Sequence, residues 1–291
     1  MNPSAPVRAA VVSPYWTFWE ASAGGAALRE DRRSLLADAV AALGAALAAQ
    51  QHRYIPENDP TEAGGEGLEV ACQGLLDSPE AGDELADGVA GDLDVIVVVI
   101  CMAAPSTHGL AFLDRFPGVP VVVWSVQRSR NIRAGFDASD ITSAGTAVGT
   151  PQLTNMLARS GRPHEIVVGA IDDAPSHGRV ARAVQVAATA SALRRARIAR
   201  VGHPPPGYAC VDTDAGALRR ATGIELVDVE PEELRRRIVE VPSTVTQRLA
   251  AEAEAATDVA ADLAADAPGG PGDSPPGPSR PAADLAASPG A

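Results

Sequence analysis

Apolar positions along this chain follow two periods. Val7 to Val12 is a short apolar run stopped by Ser13 and Pro14, and Val95 to Ile100 is apolar at every position. Runs that ignore the two-residue alternation suit strands buried on both faces, as in the middle of a parallel sheet. Val119 to Trp124, Ile166 to Ile171, Ile198 to Gly202 and Ile224 to Val229 are further expected strands. Between them the spacing is helical. Leu35, Leu36, Val40, Leu43 and Leu47 recur at three and four, the stripe of an amphipathic helix. Ser106 to Phe116, Arg179 to Ala196, the segment around Leu218 capped by Gly223, and Pro231 to Val239 read the same way. A helix is expected from Pro151, with Thr150 as its N-cap and Leu153, Met156 and Leu157 on its apolar face. The strand, helix and strand from Asp94 to Trp124 form a βαβ unit of about thirty residues. The alternation predicts an α/β chain of two three-layer domains with mainly parallel sheets, Rossmann- or flavodoxin-like. The first would span residues 1–178 and the second would begin over 179–242.

Two stretches fall outside this pattern. Residues 57–94 hold twelve acids and no Lys or Arg; Glu66 to Leu76 is read as a helix and the rest as a solvated loop with short helical turns. Residues 243–291 form a low-complexity tail. Its first part, residues 244–266, is Ala- and acid-rich and a candidate helix with little to bury, and half of residues 268–291 are Gly or Pro. That composition cannot offset the entropy of ordering and predicts a largely disordered, acidic tail.

Composition narrows the function classes. At 291 residues and 46% hydrophobic, the chain can bury a sizeable core. A net charge of −13 without a basic cluster argues against nucleic-acid binding. The longest apolar run, Val95 to Ala104, is about half a membrane span, so no membrane-crossing helix is expected. The first ten residues do not read as a secretory signal. Three separated cysteines, Cys72, Cys101 and Cys210, exclude a disulfide scaffold or zinc ribbon and point to a reducing cytoplasm. All 24 basic residues are Arg, which excludes a P-loop or Schiff-base lysine.

The candidate chemistry gathers at expected strand ends. Only ten residues are aromatic, yet Tyr15, Trp16, Phe18 and Trp19 fall within five positions, directly after the first strand. Ligands of open α/β sheets bind beyond the carboxyl ends of strands, and aromatic faces stack on sugar C–H faces. The same residues would equally suit a subunit or domain interface. Gln127, after the strand ending at Trp124, is a neutral donor and acceptor suited to hydroxyls. His108 opens a helix after the central strand and either lines the same site or caps the helix. No HExxH or other metal-ligand spacing exists; Asp172-Asp173 after a strand could hold a metal, but a loop or helix-capping role is the favoured reading. Gly145 to Thr150 is Gly-rich before a helix, but lacks both GxGxxG and a P-loop Lys. No GxSxG elbow is present.

Taken together, these segments resemble the L-fucose/L-arabinose isomerase family. The resemblance lies in Tyr15-Trp16-Thr17-Phe18-Trp19, Val95 to Ile100 followed by Met102-Ala103-Ala104-Pro105-Ser106, and the strand ending Trp124-Ser125-Val126-Gln127. It continues through Thr142-Ser143-Ala144-Gly145-Thr146 into Pro151 to Leu157, and through Ala199 to His203 and Asp212-Thr213-Asp214. It covers roughly residues 7–240. It implies a cytoplasmic, oligomeric aldose–ketose isomerase of carbohydrate metabolism with a divalent ion, usually manganese, held by Glu, Asp and His. Those ligands belong to the later part of the family's chain, and after Val241 this chain has no His. The resemblance therefore implies the N-terminal two domains of an isomerase, without the metal ligands and inactive alone. It would associate as a homo-oligomer or with a separate catalytic part, and bind a small sugar. By that resemblance Tyr15, Trp16 and Gln127 would touch sugar at a neighbouring subunit's active site, with Trp19 and His108 lining it. Arg128 departs from the pattern and sets a cation beside the site, against a neutral sugar. Two other readings stand beside this one: a non-catalytic two-domain sugar-binding or regulatory α/β protein, and a gene remnant.

Overall fold

The computed structural model describes residues 6–23, 26–51, 67–128, 130–131, 134–136, 141, 144–205, 207 and 212–265. The expected disordered segment 268–291 lies outside the described residues, as do residues 57–66 of the acidic stretch. The chain divides into two compact units, residues 1–227 and 228–291.

The first unit is built on a parallel sheet. Its strands are β1 (Val7–Pro14), β2 (Leu68–Leu76), β3 (Val95–Ile100), β4 (Val121–Gln127) and β5 (His164–Ala170), in the order β2-β1-β3-β4-β5. Every neighbouring pair is parallel, so each crossover carries helix. The helices are α1 (Phe18–Ala23), α2 (Ala26–Gln51), α3 (Pro79–Asp87), α4 (Ser106–Asp114), α5 (Thr146–Arg159) and α6 (Ala174–Arg195). Strand alternation divides the core in two. Ala9, Val11, Val97, Val99, Trp124 and Val126 face α2 and α6, with Leu35, Leu43, Val180 and Val184 packed on them. Ala10, Val12, Ile96, Ile100 and Val123 face the opposite layer, against Phe112, Leu113, Leu153 and Leu157. β3 is buried at all six positions, as its unbroken Val/Ile run requires.

The α/β class and the mainly parallel, helix-flanked sheet are as the sequence indicates. Residue 178, a boundary expected from the sequence, lies inside α6, which covers this sheet. Beyond α6 come β6 (Arg197–Val201), α7 (Ala215–Thr222) and β7 (Glu225–Val229), with β6 and β7 forming a two-stranded sheet. The second unit holds α8 (Pro231–Glu240) and α9 (Ser243–Ala265). α8 is an exposed helix stitched by Glu233 to Arg236 and Arg237 at 2.7 and 2.6 Å. No described helix is long and apolar enough to cross a membrane.

Three local expectations are corrected. The helix expected over Glu66 to Leu76 is the edge strand β2. Its pairing with β1 slips between Ala9, opposite Val70, and Ala10, opposite Cys72, so Ala71 is an extra residue. The bulge swaps faces midway: Leu68 and Leu75 pack on one core, Ala71, Cys72 and Leu76 on the other. Apolar positions three, four and seven apart then imitate a helical stripe. The solvated loop with short helical turns expected after it contains the nine-residue helix α3, capped by the Ser78 hydroxyl accepting from the Ala81 N–H at 3.1 Å and opened by Pro79 at its first turn. Finally, α5 begins at Thr146, a turn before the expected cap, and Pro151 lies inside it. The Gly-rich stretch is therefore helix, and its glycines serve packing. A Cβ on Gly149 would fall 2.1 Å from the Met102 carbonyl oxygen, and one on Gly145 2.8 Å from the Ala103 nitrogen.

Candidate functional site

The strand order places the candidate site. From β1 the chain passes by α2 to β2 on one side, then returns to β3 on the other side of β1. The carboxyl ends of β1 and β3 are thus the topological switch point, where open α/β sheets leave a ligand crevice.

The aromatic segment lies at that point. Tyr15 is fully buried, and its N–H donates to the Leu76 carbonyl at 2.8 Å. Its hydroxyl donates to Glu20 Oε1 at 2.9 Å. Burial, followed by the Glu20 carboxylate, pushes the Tyr15 hydroxyl up to about 12. Phe18 is 54% exposed, with Trp16 stacked on it at 4.7 Å and Trp19 edge-on to Trp16 at 5.8 Å. Trp19 Nε1 donates to the Ala103 carbonyl in the loop after β3, at 3.0 Å. His108 Nδ1 donates to the Tyr15 carbonyl at 2.9 Å, tying the first turn of α4 to the end of β1. Tyr15, Trp16, Trp19 and His108 are therefore brought together. Trp16 and Phe18 form the outward surface, while Tyr15 is underneath with its hydroxyl engaged.

Gln127 stands apart from this cluster as the last residue of β4, and donates to Thr146 Oγ1 of α5 at 3.2 Å. Below it Thr150 donates to Ser125 Oγ at 2.9 Å. The neighbouring Arg128 turns to the opposite face of the sheet. Its Nε lies 2.9 Å from Asp31 Oδ1 on α2, and its guanidinium donates to the Asp31 carbonyl at 2.8 Å. Arg32, one residue on, is 1% exposed, with its guanidinium 3.5 Å from the Asp31 carboxylate. Ser13 Oγ and Cys101 Sγ meet at 3.2 Å on this face, and burial pushes the Cys101 thiol up.

A charged brace holds the aromatic segment. Arg29, in the first turn of α2, reaches Glu20 at 2.8 Å and Asp77 at 2.7 Å, and its guanidinium lies 4.9 Å from the Tyr15 ring centre. The hydrogen bond from Arg29 and then that from Tyr15 hold the Glu20 carboxyl below the usual range. Glu20 directly follows the aromatic segment, but no sequence signal marks Arg29 or Asp77: scattered charges beside apolar runs read as solvated faces. Asp172 and Asp173 do not gather ligands. Asp173 caps α6 through the Ser176 N–H at 3.1 Å, and Arg130 pairs with both, at 3.2 and 3.5 Å. Among the described residues no three His, Cys, Asp or Glu side chains converge as a metal site. The described residues offer no ligand set that fits the manganese that the family resemblance implies.

Fold and site thus define an open α/β protein of flavodoxin-like strand order with an aromatic-walled edge at its switch point. No protein-family model matches the chain. It is similar to a sulfoquinovose isomerase of Alkalicoccus urumqiensis, 25% identical over 168 residues, which are 58% of this chain and 36% of that protein. It is also similar to the sulfoquinovose isomerases of Priestia aryabhattai and Priestia megaterium (strain ATCC 12872 / QMB1551), each 24% identical over 174 residues, 60% of this chain and 37% of the relative. The chain matches little more than a third of the length of these curated relatives. They are named for sulfoquinovose, whereas the sequence resemblance was to isomerases of L-fucose and L-arabinose.

Proposed function

We propose that this chain is the sugar-binding part of an aldose–ketose isomerase of carbohydrate metabolism, with its catalytic groups supplied by a separate part, and that its sugar carries a sulfonate. The observation that carries the reading is the similarity to three sulfoquinovose isomerases over more than half of the chain. The aromatic surface at the switch point supports it, because Trp16 and Phe18 offer stacked rings where an α/β sheet receives ligand. Arg128 supports the sulfonate. A sulfonate stays ionised at every physiological pH and is matched by a planar, permanently charged guanidinium. The Arg128 guanidinium, paired with Asp31 at 2.9 Å, lies at the carboxyl end of β4, where a sulfonate would share it with that carboxylate. No catalytic step is assigned to these residues, and manganese has no site among the described ones.

Tryptophan fluorescence of the full chain tests the binding. Sulfoquinovose should perturb the emission more strongly than glucose. Trp16→Ala should abolish the change, and Trp124→Phe, at a fully buried position, should keep it. Arg128→Gln should weaken sulfoquinovose by about tenfold while leaving glucose unchanged. No response to either sugar would overturn the sugar-binding reading, and an equal response would overturn the sulfonate. In parallel, the chain titrated with manganese and assayed for ketose should show only weak, unsaturated binding and no turnover. Stoichiometric tight binding with turnover would show that the catalytic groups are in this chain.

A further inference from the structure

Strand β5 ends the sheet. Among the described residues its only strand neighbour is β4. Unpaired edges are templates for another strand and are usually blunted by charge or by cover. Two carbonyls of β5 are already engaged: Arg179 of α6 donates to that of Val168 at 3.0 Å, and the Asp173 N–H donates to that of Ala170, at the end of the strand, at 3.0 Å. On one face of the strand Ile166 and Val168 remain 43% and 56% exposed. On the other face a groove of about 520 Å³ runs between β5 and α6, floored by Val122 and Val167 and walled by Ala183 and Val186. Val186 is 63% exposed.

We propose that this edge is the two-fold interface of a homodimer, with β5 of a second copy adding antiparallel to it about Val167. The pattern of the strand is self-complementary under that operation. Ile166 of each copy falls opposite Val168 of the other, an apolar cross-strand pair on the exposed face. His164 falls opposite Ala170 and Glu165 opposite Gly169, so no like charges oppose one another. A two-fold axis perpendicular to the sheet keeps each face continuous. Glu165 lies on the face of Val167, by the pairing of Glu165 with Val122 and of Val167 with Trp124. That is the face from which Arg179 reaches Val168. Glu165 of one copy therefore meets Arg179 of the other, and symmetry makes the pair twice, as a closed isologous contact does. An unrelated strand would need to supply its own cation and anion at these positions; a second copy brings them in register. This inference is independent of the sugar reading.

Light scattering coupled to size exclusion, run on the full chain over a concentration series, gives the test. The expected mass is twice the 29.7 kDa of one chain. Val168→Lys and Glu165→Arg should each weaken dimerisation by about tenfold or more. Combining Glu165→Arg with Arg179→Glu should restore it, because the charges are exchanged and not removed. Circular dichroism of each variant should match the parent, as all three substituted side chains are exposed. A monomer at all concentrations overturns the proposal. So does a dimer that tolerates Val168→Lys, or a double variant no tighter than Glu165→Arg alone.

Discussion

Gly149 sits where a helix backbone lies almost against the loop after β3. Adding a methyl group there would put carbon 2.1 Å from the Met102 carbonyl, far inside van der Waals contact. Ala is the better helix former by up to about 1 kcal/mol, but backbone on backbone has no side chain to yield. Gly149→Ala should therefore destabilise the protein by about 1–3 kcal/mol, read as a lower urea midpoint at constant slope. An unchanged midpoint would show that α5 can slide. Glu20 gives a pH dependence. Its carboxyl is depressed in the folded chain by Arg29 and Tyr15, so its contribution is complete above the unfolded carboxylate value of about 4.3. That contribution is lost as pH falls through the lower folded value. Tryptophan emission should shift over this acid range, and Glu20→Gln should remove that part of the transition; an identical acid transition in the variant would contradict the brace. At this scale the sequence disclosed Tyr15, Trp16 and Trp19, because four aromatics in five positions stand out against ten in all. It did not disclose the partners that orient them. Arg29, Glu20 and Asp77 meet only once α1, α2 and β2 are assembled.

At the scale of elements, legibility followed burial. The central strand β3 is apolar at every position because helices cover both of its faces, and it was read to within a residue. The edge strand β2 was hidden by one inserted residue. Ala71 moves the apolar set from one face to the other, and a shifted period of two looks like a period of three and four. The helix α3 was concealed by its acidic surroundings, although Ser78-Pro79 is a sound helix start. Its cap can be weighed directly. Ser78→Ala removes the acceptor for the Ala81 N–H and should cost about 1 kcal/mol in chemical denaturation, with Ser78→Asp close to the parent. No loss in Ser78→Ala would mean that water serves that N–H equally well.

At the scale of the whole molecule, alternation of strand and helix sufficed for the class but not for strand order. Nothing local in the sequence states that β2 lies outside β1 while β3, β4 and β5 extend the other way. Yet that order fixes the switch point and makes the aromatic segment a candidate site. Gln127 illustrates the gap: its place at a strand end was legible, but its engagement with Thr146 depends on how α5 crosses β4. The curated relatives run nearly three times the matched length, so the unit described here would be one body of a larger assembly under the proposed function.

The peptide between Met102 and Ala103 has a mechanical consequence. Its neighbourhood is gripped on one side by the Trp19 indole and on the other by the glycines of α5, which leave no clearance. The same helix holds Gln127 through Thr146. Two places at the carboxyl ends of the strands, more than a hundred residues apart in the chain, thus rest on one support, the loop after β3 and the helix packed against it. A side chain larger than hydrogen on either glycine of that helix would disturb the seat of the indole and that of the Gln127 amide together.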